Sequence, residues 1–181
     1  MRTYSKWMLL AVVAGSLAAC NKDDEDDHQD ENELITTVKI TLKNNQNAAD
    51  SSVAIWKDLD GEGGQNPVID TLKLKANTVY VGKIQLLDES KNPVDNITEE
   101  VAEEAVEHLF VYKPSAGLGL SIERTDKDKN NLPIGIATKF TSTAAATGNL
   151  EIILRHQPGT KDGTETPGSS DVDVFFPTKV Q

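Results

Sequence analysis

Apolar and polar residues alternate along most of this chain, and this period of two limits its fold more than any other feature. Side chains of a strand point alternately to its two faces, so the alternation indicates strands with one buried and one solvated face. Gly, Pro, Asn and Asp separate the runs, as expected for turns. The pattern predicts an all-β fold, an antiparallel Ig-like sandwich of about seven to nine strands. The runs lie at residues 38–42, 72–74, 80–86, 108–112, 118–122, 134–140, 150–154 and 172–176.

One segment, NITEEVAEEAVEHLF, departs from the alternation. Asn96 precedes Glu99 by three residues, the spacing of a capping box. We therefore expect a helix of two to three turns over about residues 97–106, packed over an open end of the sandwich. Its apolar stripe contains Ile97, Val101 and Ala105.

Two other segments indicate connections. Ala76–Asn77 lies between the runs at 72–74 and 80–86, which predicts a hairpin turn. Residues 157–170, QPGTKDGTETPGSS, are rich in Gly, Pro and Thr and predict a long loop.

The first nineteen residues have the composition of a secretory signal peptide. Arg2 and Lys6 precede a short apolar run, which is interrupted by Gly and Ser and is too short for a retained membrane helix. Leu17-Ala18-Ala19-Cys20 resembles the lipobox of bacterial lipoproteins. That resemblance implies that the chain is cleaved before Cys20, and that Cys20 carries a diacylglyceryl group on its thiol and an N-acyl chain such as palmitate. These lipids would attach the protein to the membrane without spanning it. The alternative is an ordinary signal peptide followed by an incidental cysteine.

An acidic run follows the cysteine. The chain carries a net charge of -11, of which residues 21–33 contribute -7 and residues 34–181 contribute -6, with Arg2 and Lys6 making up the difference. A block of like charges without apolar residues cannot form a core and remains extended. The sequence therefore predicts three parts, a signal peptide at 1–19, a lipidated Cys20 with an acidic tether to residue 33, and a β-sandwich domain at 34–181. Nucleic acid is not expected as a partner, because its phosphates require basic patches.

The start of the tether carries a second resemblance. Lys22-Asp23-Asp24 is similar to the Lys-acid-acid signal that sends some lipoproteins of Gram-negative bacteria to the outer face of the outer membrane. The resemblance implies an outer-membrane location facing the cell exterior. The alternative is that any acidic spacer serves here.

No familiar catalytic motif is present. The sequence contains no HExxH, GxSxG, Walker loop or GxGxxG, and Cys20 is its only cysteine. We therefore do not expect an enzyme.

Two acidic loops are candidates for a calcium-like site, because each places side-chain oxygens at alternate positions. The second loop begins like an EF-hand, but Asn131 stands where that loop needs Gly and Ala137 where it needs Glu. A complete EF-hand is thus excluded, and the alternative is that Asp and Asn are here as turn formers. The candidate ligands are Asp58, Asp60 and Glu62 in the first loop, and Asp126, Asp128 and Asn130 in the second.

The histidines are candidates for a transition-metal site. His108 is in phase with apolar residues 110 and 112, and His156 with residues 150, 152 and 154, so both side chains are expected at the inner edge of a sheet. Together with Glu104 or Glu107 they could bind Zn²⁺ or Cu²⁺. The alternative for each histidine is a hydrogen-bonded core residue.

Most of the domain resembles a wider group of proteins. The stretches WKDLDGEGG, TLKLKANTVYVGKIQLLDES, NITEEVAEEAVEHLFVY and LEIILRHQPG are similar to small outer-membrane lipoproteins described as "type 1 periplasmic binding fold superfamily protein". The resemblance implies solute binding beside an energy-dependent, TonB-dependent-type outer-membrane receptor. It also implies two α/β lobes, for which residues 34–181 have neither the length nor the helices.

Two functions are consistent with these features. The first is a non-catalytic binding module that captures a solute or metal for an outer-membrane transporter. The second is a structural or accessory lipoprotein that docks on an outer-membrane partner. Trp56 and Tyr112 help to distinguish them, because both exposed together would favour a partner surface and both buried would make them ordinary core residues.

Overall fold

The alternating runs form strands of two facing sheets. The computed structural model describes residues 34–61 and 63–181, so the predicted signal peptide, the lipidation site Cys20, the acidic tether and Glu62 lie outside the described residues. The larger sheet has the strand order β3-β2-β1-β5-β8-β7 and the smaller sheet the order β4-β10-β9-β6. The strands are β1 (Thr37–Asn44), β2 (Asn47–Lys57), β3 (Val68–Ile69), β4 (Leu72–Leu74), β5 (Val79–Leu87), β6 (His108–Pro114), β7 (Leu120–Arg124), β8 (Ala137–Ser142), β9 (Ala146–His156) and β10 (Ser169–Val180).

The inward side chains of both sheets form one apolar core, which confirms the predicted all-β sandwich with one short helix. Strands β4, β5, β8 and β10 bury every second side chain along most of their length, as the period of two requires. All paired strands are antiparallel except β4 and β10, which run parallel. The largest fully buried side chains include Tyr80, Phe110, Phe140 and Phe176.

A second, smaller apolar cluster lies on β6 and β9. Leu109, Val111 and Ile153 are buried on the opposite face of the smaller sheet from the main core. Strand β6 is therefore buried on both faces along part of its length, which explains its uninterrupted apolar run of residues 109–112.

The described residues form ten strands, against the seven to nine expected. Strands β2 and β3 have no counterpart among the predicted runs. The first half of β2, residues 47–52, is mostly exposed and contains only Ala48 and Ala49 as apolar residues, so it shows no alternation of apolar side chains. Strand β3 contains only two residues, both exposed.

The predicted hairpin at Ala76–Asn77 is wrong. A turn does occur there, with Asn77 at φ +51°. However, β4 belongs to the smaller sheet and β5 to the larger one, so the chain crosses between sheets. The cause is a long-range pairing of β4 with β10, in which Leu72 faces Thr178.

The helix α1 (Ile97–Glu103) is shorter than the predicted span of 97–106. Ile97 and Val101 are buried as expected, but the Asn96 side chain forms no cap to the helix backbone. Instead, Asn96 Nδ2 donates to Glu99 Oε1 at 2.7 Å. The helix lies along β5, where the backbone N–H of Leu86 donates to the Thr98 hydroxyl at 2.7 Å.

Within residues 34–61 and 63–181, no helix is both long and apolar enough to cross a lipid bilayer.

Candidate functional site

The structure brings the two predicted histidines together. His108 on β6 and His156 on β9 are direct cross-strand partners. Their rings stack with centroids 4.9 Å apart and planes 11° from parallel. The shared inward phase seen in the sequence therefore places both imidazoles at the same end of the smaller sheet.

Each imidazole has its own polar neighbours. His108 Nδ1 lies 3.2 Å from the backbone oxygen of Glu104, to which it can donate, and its Nε2 lies 3.8 Å from Asp171 Oδ2. His156 Nε2 lies 3.7 Å from Glu107 Oε2. Burial lowers the pKa of the His108 imidazole, although Glu104 and Asp171 act in the opposite direction. Sequence reasoning missed Asp171, which occupies a bulge in β10 that alternation does not reveal.

The geometry of the two rings does not suit a metal ion bound by both. The lone pairs of stacked rings lie in two separate parallel planes, whereas a metal needs them to converge on one point. Glu104 contributes its backbone oxygen to His108, and no contact of its carboxylate with either ring is observed. Among the described residues, no three or more His, Cys, Asp or Glu side chains are grouped to hold a metal ion. Of the residues predicted to bind Zn²⁺ or Cu²⁺, His108 and His156 are thus adjacent, but the described residues do not form a complete set of ligands around them.

In the first acidic loop, the carboxylates bond to nearby backbone groups. The N–H of Gly61 donates to Asp58 Oδ1 at 2.9 Å, and the N–H of Gln65 donates to Asp60 Oδ2 at 3.0 Å. The latter bond lowers the pKa of Asp60. Both aspartates therefore act as turn formers. Glu62, the third predicted calcium ligand, lies outside the described residues.

In the second acidic loop, Asp126 holds the loop against β8. Its two oxygens accept the N–H groups of Gly135 at 2.7 Å and Ala137 at 3.0 Å. Asn130 is exposed and uses its backbone N–H to donate to Asp128. Both observations match the alternative that these residues form turns. Among the described residues, the predicted calcium ligands therefore do not present a group of side-chain oxygens left free for a cation.

Asp128 forms a buried ion pair that the sequence did not indicate. Its Oδ2 lies 2.8 Å from Lys161 Nζ, and the two side chains are 0% and 2% exposed. Lys161 also donates to the backbone oxygen of Ala105 at 2.7 Å. Burial raises the pKa of Asp128, but the bonds from Lys161 and Leu132 outweigh it and lower the pKa overall. This pair fastens the 157–168 loop to the body of the sandwich.

Trp56 and Tyr112 are both packed against the main core. The Tyr112 hydroxyl donates to the backbone oxygen of Gly135 at 2.6 Å, and burial raises its pKa well above the ordinary value. Both side chains are partly buried against the core, so they do not form the exposed pair that would favour a partner surface.

A groove with a volume of about 530 Å³ opens between α1 and the outer face of the larger sheet. Volumes of this size are typical of small-ligand sites. Strands β1 and β5 contribute Thr41, Lys43, Lys83 and Gln85, and the wall on the α1 side includes Thr98. The lining thus includes two lysines and one carboxylate, Glu99, beside neutral hydrogen-bonding groups.

The helix side of the groove adds an unsatisfied acceptor. Asn96 lines the groove, and its buried Oδ1 has no hydrogen-bond partner among the described residues. The orientation of the amide is fixed because Nδ2 donates to the Glu99 carboxylate. Apolar contacts come from Val81, Ala102 and Ile136. The Asn96 oxygen itself is closed to solvent, so a ligand meets the helix side through Thr98 and these apolar groups.

Three lysines, here called the lysine triad, cluster on the sheet beside and within the groove. Lys83 on β5 lies directly opposite Thr41 on β1, and Lys39 and Lys43 flank Thr41 on the same face. Diagonal neighbours of this kind have side chains about 7–8 Å apart, and like charges so placed repel each other. Within the described part of the chain, none of the three lies within ion-pair distance of a carboxylate.

The groove was missed in the sequence because its residues come from distant segments. Lys43 and Lys83 become diagonal neighbours only through the pairing of β1 with β5. The alternation does place lysines on the solvated face of each strand. It does not reveal which strands are neighbours, which is the information needed to find the triad.

No protein-family model, curated protein or solved structure matches this chain.

Proposed function

We propose that this protein is a lipid-anchored lipoprotein of the outer membrane, displayed on the cell surface, that binds a small solute without catalysis. The observation that carries the binding role is the 530 Å³ groove between α1 and the larger sheet, lined by charged, polar and apolar groups. The anchor at Cys20 and the Lys22-Asp23-Asp24 signal support the location. Delivery to a TonB-dependent-type receptor is part of the proposal and rests on the resemblance alone.

A substitution that fills the groove tests the binding role. Ala102 lines the groove on the exposed side of α1, so Ala102→Trp should occupy it without disturbing the core. Ala144 is also exposed but lies in the turn between β8 and β9, which makes Ala144→Trp the matched control. We expect a solute identified by thermal shift of the purified full-length protein to lose its effect in Ala102→Trp only. An equal shift in both variants would contradict binding in the groove.

The location is tested separately. Mass spectrometry should find a triacylated N-terminal Cys20, and protease added to whole cells should remove the domain. A free thiol at Cys20, or a domain protected from protease until the cells are opened, would contradict the surface location.

A docking role is the second candidate, favoured by exposed apolar side chains on the larger sheet. Val53 and Val81 on its outer face are 47% and 50% exposed, and Val68 on the edge strand β3 is 72% exposed. Patches of this kind often mark protein contacts. Recovery of the same outer-membrane protein by wild type and Ala102→Trp, but not by Val68→Lys, in a pull-down of the lipidated protein would favour docking over solute capture.

A further inference from the structure

We infer that the groove binds a small organic anion with at least two acidic groups. This deepens the proposed function and depends on it, since the ligand is assigned to the same groove. The juxtaposition that carries the inference is the lysine triad on β1 and β5 beside the groove that Lys43, Lys83 and Thr98 line.

Two lysines against one carboxylate, Glu99, give the lining of the groove a net positive charge, which favours an anion at this position. Lys39, Lys43 and Lys83 surround Thr41 without a carboxylate at ion-pair distance among the described residues. By contrast, Lys139 on the same face is paired with Glu123. The uncompensated lysines repel each other, and an anion placed between them relieves that repulsion. Two or more acidic groups on one ligand can reach two or more members of the triad.

The size of the positive region favours a small anion over an extended one. Residues 34–181 carry a net charge of -6 even with the triad included, so acidic residues outnumber basic ones over the domain as a whole. An extended polyanion such as nucleic acid or an anionic membrane would therefore approach a domain of net negative charge. A ligand that fits within the 530 Å³ groove avoids this repulsion.

The remaining lining groups indicate further features of the ligand. Thr41, Thr98 and Gln85 offer further hydrogen bonds, and Val81 and Ile136 contact a short apolar part. A hydroxylated polycarboxylate or a sugar phosphate has this combination of groups.

Citrate, glucose 6-phosphate and neutral glucose are suitable probes for isothermal titration of the full-length protein. We expect at least one of the two anions to bind, with an affinity that falls as salt is raised. Lys83→Met should weaken that binding by about tenfold or more, which corresponds to the loss of one charge contact. The matched control is Lys179→Met, which removes the same charge from an exposed strand position on the smaller sheet. Thermal unfolding of each variant checks that it is folded.

The outcomes separate the anion assignment from the groove itself. Anion binding that Lys83→Met weakens and Lys179→Met does not supports the inference. Binding of glucose, but of neither anion, that is lost in Ala102→Trp would overturn the anion assignment and leave the groove as a solute site. Anion binding that is equal in wild type, Lys83→Met and Ala102→Trp, or an absence of heat from both anions at millimolar concentration, would overturn the inference.

Discussion

Removal of the buried ammonium of Lys161 should destabilise the protein far more than removal of an exposed one from a neighbouring ion pair. Lys161→Met keeps most of the aliphatic stem but leaves the Asp128 carboxylate, 0% exposed, without its cation. Breaking one side of a buried ion pair costs about 3–5 kcal/mol of unfolding free energy. The Ala105 carbonyl also loses a donor, which costs about 1 kcal/mol more if it remains dry.

The same loop provides a matched control. Lys113 pairs with Glu165 at 2.9 Å, but these side chains are 41% and 49% exposed. Exposed pairs of this kind contribute about 0–1 kcal/mol, so Lys113→Met should have a small effect. Both substitutions remove one positive charge and one link to the 157–168 loop. The comparison therefore isolates the effect of burial.

Urea unfolding at neutral pH measures both effects, provided that the slope of free energy against urea is unchanged. The double variant Lys161→Met/Asp128→Asn should recover part of the loss, because it removes the unpaired buried charge. A cost for Lys161→Met within about 1 kcal/mol of that for Lys113→Met would refute the reasoning. It would mean that the Asp128 carboxylate is satisfied by the backbone N–H groups of Asn130 and Leu132 alone.

Three further predictions concern other parts of the molecule. Burial lowers the pKa of His108 in the folded state, so the unfolded chain binds a proton more readily and stability should fall as pH drops through about 6.5. In a His108→Gln variant, the urea midpoint should decline less between neutral and mildly acidic pH. A decline equal to that of the wild type would contradict the assignment. Tyr112→Phe should cost about 1–3 kcal/mol in the same urea assay, because the Gly135 carbonyl loses its donor, and an unchanged stability would show that water replaces the hydroxyl. Cys20→Ala should release the protein from the membrane fraction, and a variant still found in the membrane pellet would indicate another attachment.

The sequence predicted the sandwich because alternation is a local property. Val38, Ile40 and Leu42 indicate a buried strand face wherever the strand lies in the fold. Strand β2 escaped prediction since its first half is polar on both faces, and its place in the sheet comes from pairing with β1. The prediction succeeded for strands whose own residues alternate between apolar and polar. It failed for strands whose place in the sheet depends on the strand with which they pair.

The same distinction explains the candidate sites. The phase of His108 and His156 placed both rings inward, and their adjacency then followed from the register of β6 with β9. For the acidic loops, the sequence could not distinguish two roles. Carboxylates that bind a cation and carboxylates that accept backbone N–H groups occur at the same spacing along the chain. Only the contacts of Asp126 and Asp128 distinguish the two roles.

The parallel pairing of β4 with β10 has a consequence for the order in which the protein is completed. Ribosomes make the chain from its N-terminus, so Leu72 and Leu74 emerge long before Thr178 and Val180, the residues beside which they will lie. During that interval the short strand exposes apolar side chains and unpaired backbone groups, the surface that holdase chaperones and aggregating strands recognise. The smaller sheet cannot close until the last strand arrives, which makes its assembly a late step of biogenesis.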